Sequence, residues 1–505
     1  MPHDPTTLAA VQPLDAHNRR LLDTVHPPEW TNPAPPRGGY QLVVIGAGTA
    51  GLVTAAVAAA VGARVALIER GLMGGDCLNV GCVPSKAILA AARAAHARAD
   101  GAASPAEDGA FAAAMERMRR IRADLSPVDG AARFRDLGVD VYLGDARFAS
   151  GDEVQVGGAT LKFVRAVIAT GGRAAVPDIP GLADSGYLTN ESFYSLTERP
   201  GHLAILGGGP IGCEMAQAVA RLGGRVTLME SGGRLLKNDD PDAARIVHDA
   251  LRRDGVEVLA SARVDSVSGG PGDLVLRITH DGAARTVNAT HLLVATGRAA
   301  NVEGLGLERA AVETGEHGIA VDDRMRTSNP RIYAIGDVAS KHKFTHAADA
   351  SARLVVRNAL FRGRGKVSAL VIPWATYTSP EVAHVGITAA EVARRGDEVQ
   401  TITIPLEEVD RARLDGRTEG FFRVHLRAGS DTILGATMVA DHAGDLISQV
   451  TQAMTAGLGL GKLGDVIYPY PTTAEAIRKA ADQWRRGKLT PTAKAALSVA
   501  LRLLR

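Results

Sequence analysis

Features that this chain lacks, or has little of, set the first limits on its function. Only three of its 505 residues are cysteines, and no run of about 18 uninterrupted apolar residues occurs, so no transmembrane helix is predicted. The first residues, MPHDPTTLAA, have neither the basic nor the apolar region of a signal peptide, so we expect a cytoplasmic protein. A formal net charge of +2 gives no electrostatic reason to expect a nucleic-acid partner.

A glycine pattern occurs twice, each time between an apolar strand and a helix. The first copy consists of Gly46, Gly48, Gly51 and Glu69. The second copy lies 161 residues later and repeats all four members: Gly207, Gly209, Gly212 and Glu230. In such a β–α–β unit the glycines make the turn, admit a pyrophosphate and let the helix pack on the strand, while the acid binds a ribose diol. Two copies predict two dinucleotides, a flavin and a nicotinamide.

Three further apolar strands each end at a glycine, as strands that border a nucleotide site commonly do. Two apolar runs break at Thr-Gly, one at Thr170 and Gly171 and one at Gly297, and each is predicted to close one nucleotide domain. The stretch NPRIYAIGDVA predicts a strand that runs into Gly336 and Asp337. An acid at that strand end could reach a ribityl hydroxyl, and by its spacing alone it could equally be an ordinary turn aspartate. From about residue 367, alternating strands with helices near 441–457 and 473–486 predict a third, α+β domain.

Cys77 and Cys82 lie in the segment GGDCLNVGCVPSK and could form a metal site, a structural disulfide or a redox couple. No second Cys or His pair occurs at metal-ligand spacing, and disulfides of cytosolic proteins are usually catalytic or redox-sensing. Pro84 suits a first helical turn, which puts Cys82 at a helix N-terminus, and Lys86 adds positive charge. These features favour a thiolate and a redox couple. The third cysteine, Cys213, is predicted to be a small buried apolar residue.

The cysteine segment between two dinucleotide motifs resembles the pyridine nucleotide-disulfide oxidoreductases, which include lipoamide dehydrogenase, glutathione reductase and mercuric reductase. The likeness covers roughly residues 40–485. It implies two Rossmann-like dinucleotide-binding domains of α/β class, followed by a C-terminal α+β dimerisation domain. It also implies a homodimer that passes electrons from NAD(P)H through FAD to a Cys77–Cys82 disulfide, with the active site shared across the interface.

The resemblance also assigns roles to residues. Cys82 would be the thiolate against the flavin and Cys77 the outer thiol that exchanges with substrate, while Lys86 near the flavin would pair with Glu214. The residues implied at FAD are Gly46, Gly48, Gly51, Glu69, Gly75, Thr170, Gly171, Gly336, Asp337 and the segment Thr345–Ala347, with Ala347 at the ring edge. The residues implied at the nicotinamide nucleotide are Gly207, Gly209, Gly212, Glu230 and Gly297. Glu230 favours NADH, and Arg234 keeps NADPH as an alternative.

The third domain departs from the family pattern. In YPYPTTAE, Tyr470 stands where the family has a histidine, and Glu475 is retained. Tyrosine titrates near about 10 and histidine near about 6.5, so Tyr470 is a poor base at pH 7. A tyrosine here resembles mercuric reductase, but the chain ends without that enzyme's cysteine pair. The expected acceptor is therefore open among a small disulfide, a lipoyl group, a metal ion and a quinone.

Alternatives to the leading interpretation are mercuric reductase, a lipoamide dehydrogenase-like enzyme and a non-catalytic flavoprotein that docks a partner. The predicted domains are an N-terminal arm at 1–38, an FAD domain at 39–185 and 325–365, an NAD(P) domain at 186–324, a dimerisation domain at 366–487 and a tail at 488–505. In the tail, Lys494, Ser498, Arg502 and Arg505 form one polar stripe on an otherwise apolar helix. Such a helix could contact a membrane surface or pack on its own dimer.

Overall fold

The computed structural model describes residues 11–98 and 109–504. Residues 1–10 of the predicted arm, and Arg505 of the polar stripe, lie outside the described residues. The chain forms two compact units. The first unit comprises residues 1–231 and 254–370, and the second comprises residues 232–253 and 371–505. The boundaries of the predicted domains stay a prediction.

The first unit contains a parallel sheet whose central strand, Tyr40–Ile45, precedes the first glycine turn. Its parallel strands, in spatial order, are Val139–Leu143, Val65–Glu69, Tyr40–Ile45, Ala159–Ile168 and Ile332–Ala334. Leu42 and Val44 are fully buried on one side of the sheet and Val43 on the other, as expected for a strand covered on both faces. The first half of Ala159–Ile168 continues into an antiparallel extension with Glu153–Val156 and Arg147–Ser150.

A second parallel sheet in the same unit repeats this arrangement around the second glycine turn. Its strands, in spatial order, are Glu257–Leu259, Arg225–Met229, His202–Leu206 and His291–Val294. A three-stranded antiparallel sheet follows in the chain, with strands Ala262–Gly270, Asp273–His280 and Ala283–Ala289. Two short antiparallel pairs complete the strands of this unit: Gly172–Ala174 with Arg298–Ala300, and Thr314–Gly315 with Gly318–Ile319.

Helices follow the strands of the first unit. They are Ala16–Val25, Thr49–Ala60, Gly75–Asn79, Cys82–Arg98, Ala110–Leu125, Ala131–Asp136, Asn190–Phe193, Pro210–Arg221 and Thr345–Phe361. The first of these lies in the predicted arm, where Asp15 caps it by accepting the N–H of Asn18 at 2.8 Å. Leu21 and Val25 of this helix are fully buried, so the described part of the arm is anchored in the core of its unit.

The second unit is built on an antiparallel sheet whose three central strands are buried along most of their length. Its strands, in spatial order, are Pro373–Thr376, Glu381–Gly386, Ile433–Ala440, Phe421–Arg427 and Val399–Pro405. Its helices are Pro241–Arg253, Ala389–Arg395, Asp410–Leu414, Ala443–Thr455, Leu460–Gly464, Glu475–Gly487 and Pro491–Leu503. Two parallel α/β sheets and a C-terminal α+β sheet confirm the predicted fold class. Across residues 11–98 and 109–504, no helix combines the length and apolar character needed to cross a bilayer.

The two glycine turns have nearly the same backbone geometry. Gly46 has φ of 100° and Gly207 has φ of 105°, a region that residues with a Cβ rarely adopt. A Cβ on Gly212 would lie 1.9 Å from the carbonyl oxygen of Gly207, whereas a Cβ on Gly209 would meet no atom of the described residues within 4 Å. The glycines of one turn therefore serve different purposes. Gly212 is required by packing, and Gly209 leaves open space.

This difference predicts that a glycine-to-alanine substitution will lower the stability of the protein at Gly212 but not at Gly209. We expect Gly212→Ala to lower the free energy of unfolding by about 2 kcal/mol, because its methyl group overlaps a backbone carbonyl. Gly209→Ala should leave stability within about 0.5 kcal/mol, because its methyl group enters open space. Thermal unfolding of both variants, without added nucleotide, measures the difference. Equal melting temperatures would contradict the packing argument.

Candidate active site

The segment that carries the cysteines is docked on the first glycine turn. Gly74 and Gly48 form a parallel β-bridge, and a Cβ on Gly75 would lie 2.6 Å from the Cα of Gly48. Glycine at position 75 therefore permits the close approach of two backbones. The short helix Gly75–Asn79 begins at this contact and carries Cys77. The docking holds Cys77 close to the N-terminus of the helix that follows the first glycine turn.

Cys82 begins the helix Cys82–Arg98, as the position of Pro84 predicted. Its sulfur lies 3.2 Å from the hydroxyl of Thr345, which begins another helix of the same unit. Both Cys77 and Cys82 are free thiols in this structure, and Cys82 is exposed. The inner thiol thus lies at two helix N-termini, where backbone N–H groups favour negative charge.

The surroundings of Cys82 stabilise its thiolate. A hydrogen bond from Cys77 is the largest cause that lowers the pKa of Cys82, to about 6. The Thr345 hydroxyl and the Lys86 ammonium lower it further, against the partial desolvation of the sulfur by the surrounding protein. Because this pKa is below neutrality, the thiolate is present at pH 7 and is lost as the pH falls through about 6. A thiolate of this kind is the nucleophilic and electron-donating form of cysteine.

Cys77 has the opposite character. Its hydrogen bond to Cys82 and its burial raise its pKa, and the charge of Asp129 raises it further. Asp129 lies beside the cysteine segment, because a Cβ on Gly74 would be 3.1 Å from its Oδ2 atom. Burial in turn raises the pKa of Asp129. The pair is therefore asymmetric at neutral pH, with a protonated Cys77 thiol and a charged Cys82.

Lys86 connects the cysteine helix with the helix of the second glycine turn. Its Nζ donates to Oε2 of Glu214 at 2.8 Å, and the side chain of Glu214 is only 4 % exposed. A buried carboxylate requires a charged partner, so this ion pair fixes where the ammonium lies. The structure thus brings together Cys77, Cys82, Lys86 and Glu214, four of the six predicted catalytic residues.

The acids of the two glycine motifs occupy equivalent positions. Glu69 accepts the N–H of Ala47 at 2.6 Å, and Glu230 accepts the N–H of Gly208 at 2.7 Å. In each turn the acid thereby accepts a hydrogen bond from the residue after the first glycine. Burial raises the pKa of Glu69, and its two backbone hydrogen bonds oppose that effect. Each carboxylate lies at the end of the second strand of its β–α–β unit.

Both turns can accommodate a dinucleotide. The helices after Gly48 and Gly209 start without a side-chain cap, so their first N–H groups are available to an anion. A Cβ on Gly171 or Gly297 would meet no atom of the described residues within 4 Å. Uncapped helix ends beside open backbone fit the pyrophosphates of FAD and of a nicotinamide nucleotide.

Arg298 and Asp76 are two residues that the sequence analysis missed. The guanidinium of Arg298 donates to Asp337 at 2.9 Å, and it also pairs with Asp76, the residue next to Cys77. Asp337 follows Gly336, which has φ of 72°, at the end of the strand Ile332–Ala334. The Asp337 carboxylate is therefore held by Arg298 of the same chain. Arg298 directly follows the Thr296-Gly297 pair, and a cation at that position was the sequence signal that could have indicated this ion pair.

The remaining predicted catalytic residues lie in the second unit and are not joined to each other. Tyr470 donates its hydroxyl to Asp410 at 2.9 Å, and this bond raises the phenol pKa. Glu475 is buried, and its Oε1 accepts from Arg478 at 2.9 Å. Its Oε2 has no hydrogen-bond partner in the part of the chain that the structure describes. Tyr470 therefore stays protonated at neutral pH and cannot act as a base.

Cys213 is fully buried in the helix Pro210–Arg221, and its thiol donates to the carbonyl of Gly208 at 3.4 Å. Within residues 11–98 and 109–504, no group of three or more His, Cys, Asp or Glu side chains is arranged to hold a metal ion.

The contact of Thr345 with Cys82 gives a prediction for thiol reactivity. In the reduced protein, the rate at which iodoacetamide alkylates Cys82 should rise with pH around a midpoint of about 6. Thr345→Val removes a donor to the thiolate and should raise that midpoint by about one pH unit. Peptide mass spectrometry measures the rates, with Thr314→Val, an exposed threonine elsewhere, as the matched control. An unchanged midpoint in Thr345→Val would refute the role of the hydroxyl.

Comparison with known proteins places this geometry in a family. Residues 40–352 match the family model described as pyridine nucleotide-disulphide oxidoreductase, and residues 372–481 match the dimerisation domain of that family. The chain is 38 % identical over 460 residues to a mercuric reductase of Streptomyces lividans, a match that covers 88 % of this chain and 96 % of the relative. It is 33 % identical over 456 residues to a dihydrolipoyl dehydrogenase of Chlamydia muridarum, covering 88 % and 96 %.

Among solved structures, the fold is similar to a Cu(II) complex of the HOCl-induced flavoprotein disulfide reductase RclA from Escherichia coli. The TM-score is 0.78 at 29 % identity, and the match covers 87 % of this chain and 99 % of that one. The family match spans more than half of the chain, and two relatives exceed 30 % identity over nearly their whole length. The chain belongs to the pyridine nucleotide-disulphide oxidoreductases, a family of FAD-dependent enzymes that use NAD(P)H.

Proposed function

We propose that this enzyme takes electrons from a nicotinamide nucleotide, stores them in the Cys77–Cys82 pair and delivers them to an acceptor at Cys77. One observation carries the proposal. A thiol pair of unequal acidity lies on a segment that contacts the first glycine turn at Gly48, and the helix begun by Cys82 is joined to the helix of the second glycine turn by the Lys86–Glu214 ion pair. A charged inner thiol and a neutral outer thiol are what a relay with one electron donor and one acceptor requires.

The residues of the two turns would hold the two nucleotides. Gly46, Gly48, Gly51 and Glu69, with Gly75 and Asp337, are our assignment for FAD, and Gly207, Gly209, Gly212 and Glu230 are our assignment for the nicotinamide nucleotide. Bound FAD supplies the redox chemistry that connects a two-electron hydride donor with a disulfide. The open backbone at Gly171 and Gly297 supports this assignment.

The chain's own residues account for the protons. Reduction of the Cys77–Cys82 disulfide by one hydride equivalent breaks the S–S bond and yields one thiol and one thiolate. The low pKa of Cys82 assigns the negative charge to that sulfur, and the raised pKa of Cys77 assigns the proton to the other. Lys86, held by Glu214 at 2.8 Å, keeps a positive charge near the new thiolate. Cys77 must then lose its proton when it attacks an acceptor.

Anaerobic titration with NADH tests the proposal. We expect a broad absorbance band at the red end of the flavin spectrum, because a thiolate against an oxidised flavin donates charge to it. In Cys77→Ser, which keeps the inner thiolate but cannot form the disulfide, the band should be present before NADH is added and should bleach as NADH reduces the flavin. It should be absent from Cys82→Ser throughout the titration. It should also disappear as the pH falls through about 6.

Two results would overturn the proposal. One is a Cys82→Ser variant that retains the band, and the other is a wild-type enzyme whose flavin is reduced without any band. Cys213→Ser is the matched control, because Cys213 is buried and its thiol donates to the carbonyl of Gly208, so its loss should leave the band unchanged. Loss of the band in the control would mean that the cysteine substitutions act through folding.

We propose NADH as the preferred nucleotide. Glu230 ends the second strand of its motif, where a carboxylate would bind a ribose diol and repel a 2′-phosphate. Arg234, the cation that kept NADPH as an alternative, is engaged by backbone carbonyls of its own loop. It donates to Leu236 at 2.9 Å and to Lys237 at 2.7 Å. A guanidinium held in this way is a weaker phosphate ligand.

We propose a small disulfide or a soft metal ion as the acceptor. Tyr470 stays neutral, so deprotonation of Cys77 has no base at the position where the family has histidine. A soft metal ion avoids this difficulty, because binding to a thiol releases its proton. The similarity to a mercuric reductase and to a Cu(II) complex of a disulfide reductase supports this choice.

A quinone acceptor would require access to a lipid bilayer. The amphipathic C-terminal helix, Pro491–Leu503, is the segment suited to peripheral membrane contact, and we include that contact in the proposal. The match of residues 372–481 to a dimerisation domain indicates a homodimer, and we propose that its active site is shared across the interface. Tyr470, as a neutral hydroxyl, and Glu475 would then lie near Cys77 of the second copy.

Steady-state oxidation of NADH and NADPH with lipoamide, Hg²⁺ in excess thiol and a quinone tests these choices together. We expect kcat/KM for NADH to exceed that for NADPH by at least about tenfold, because the Glu230 carboxylate would repel the 2′-phosphate of NADPH, and tenfold corresponds to about 1.4 kcal/mol. Turnover with a thiol-reactive acceptor should be lost in Cys77→Ser. A higher kcat/KM for NADPH would overturn the nucleotide assignment, and full turnover in Cys77→Ser would overturn the route through the outer thiol.

A further inference from the structure

The C-terminal helix Pro491–Leu503 has no buried residue. Thr490 caps it by accepting the N–H of Ala493 at 3.2 Å, so the helix is well formed locally. Its large apolar side chains are nonetheless exposed: Leu497 52 %, Val499 58 %, Leu501 63 %, Leu503 82 % and Leu504 83 %. An exposed apolar surface of this kind marks a contact with something outside the chain.

Positive charge is concentrated in the same region. Residues 478–505 contain eight Lys and Arg side chains and one acid, Asp482, whereas the whole chain has a net charge of only +2. The remainder of the chain is therefore net acidic, and the basic character belongs to this end. A basic, amphipathic segment of this type is attracted to negatively charged surfaces.

Several of these cations have no internal counter-ion. Arg478 pairs with Glu475 and Arg485 pairs with Asp465. In contrast, Arg486, Lys488, Lys494 and Arg502 have no carboxylate within 4.0 Å among the residues that the structure describes. Lys488 instead lies 3.8 Å from the ring centre of Trp484. Unneutralised cations next to an apolar helix are free to meet external phosphates.

A basic groove precedes the helix. It has a volume of about 580 Å³ and is lined by Arg478, Lys479, Asp482, Arg485, Arg486 and Leu489. Arg478 and Lys479 pair with Glu475, and Arg485 pairs with Asp465, so Arg486 carries the positive charge of the groove that is left without an ion pair among the described residues. Leu489 adds an apolar wall. A lipid headgroup offers the complementary chemistry, since it joins an anionic phosphate to apolar chains.

The family interface does not account for this region. The dimerisation domain matches residues 372–481, so the helix Pro491–Leu503 lies beyond the matched interface domain. Two copies that packed through the apolar face of this helix would leave Lys494 and Arg502 on the outside of the pair, where they would still lack counter-ions, whereas an anionic surface can meet both the apolar face and the cations. Charge complementarity therefore favours an anionic partner over a second copy of the chain.

We infer that residues 478–504 dock on an anionic lipid surface. The apolar face of Pro491–Leu503 enters the boundary between headgroups and acyl chains, and the cations of the groove and of the polar stripe meet lipid phosphates. This inference deepens the membrane contact of the proposed function by naming the lipid class. It rests on that contact and not on the thiol chemistry.

Vesicle sedimentation of the full-length flavoprotein tests the inference. We expect binding to phosphatidylcholine vesicles that contain phosphatidylglycerol and little binding to pure phosphatidylcholine. Binding should weaken strongly between about 0.1 M and about 1 M salt, because the Debye length falls from about 10 Å to about 3 Å. Arg486→Gln with Lys488→Gln should weaken binding roughly 20- to 30-fold, at about fivefold for each cation.

The matched control is Arg394→Gln with Arg395→Gln, which removes the same charge from an exposed helix of the same unit. We expect the control to bind like wild type. Leu501→Ser with Leu503→Ser should lose at least about tenfold in binding, because it removes apolar area from the helix. The red absorbance band of each variant after NADH shows that the thiol site is intact, so failure of the docking inference is distinguishable from failure of the proposed electron transfer.

Three outcomes would overturn the inference. Binding that does not depend on phosphatidylglycerol would contradict the anionic lipid as the partner. Equal weakening in the Arg394→Gln and Arg395→Gln control would contradict a specific role for the cations near the C-terminal helix. The third outcome combines two results: wild type binds neither vesicle type, and the Leu501→Ser and Leu503→Ser variant is monomeric by sedimentation velocity. Together they would assign the apolar face to a contact between two copies of the chain.

Discussion

The negative charge on Cys82 is the interaction on which the rest of the site depends. It is held by the Cys77 thiol, the Thr345 hydroxyl and the Lys86 ammonium, which come from three separate helices of the first unit. The ammonium in turn depends on Glu214, a buried carboxylate on the helix of the second glycine turn. A change in any of these elements alters the acidity of one sulfur, so the fold and the chemistry are coupled through that atom.

The steric limits of the glycine turns are compatible with the two nucleotide sites that we propose on either side of that sulfur. At both turns the first glycine adopts a positive φ, and the third allows the helix to approach a backbone carbonyl. Gly48 adds a second function, because the cysteine segment is docked on it. The same close approach that admits a pyrophosphate therefore also fixes the position of Cys77. The proposed flow of electrons follows from this shared backbone.

The glycine motifs, the position of Cys82 at a helix start and the fold class could be predicted from sequence, because they follow from local sterics and from short spacings. The contacts that tune the thiols could not. Thr345 is 263 residues from Cys82 in the chain, and Asp129 reaches the cysteine segment from another turn. The partner of Tyr470, Asp410, likewise comes from a separate helix. Such contacts depend on tertiary packing, and no spacing rule encodes them.

The most direct test of the account counts reactive thiols at single residues. Enzyme equilibrated with air is alkylated under denaturing conditions, with and without prior anaerobic treatment with one equivalent of NADH, and the labelled peptides are quantified by mass spectrometry. The account predicts that Cys77 and Cys82 are protected as a disulfide before NADH and are both labelled after it, while labelling of Cys213 does not change. Equal labelling of Cys77 and Cys82 before and after NADH would contradict the claim that this pair stores the electrons.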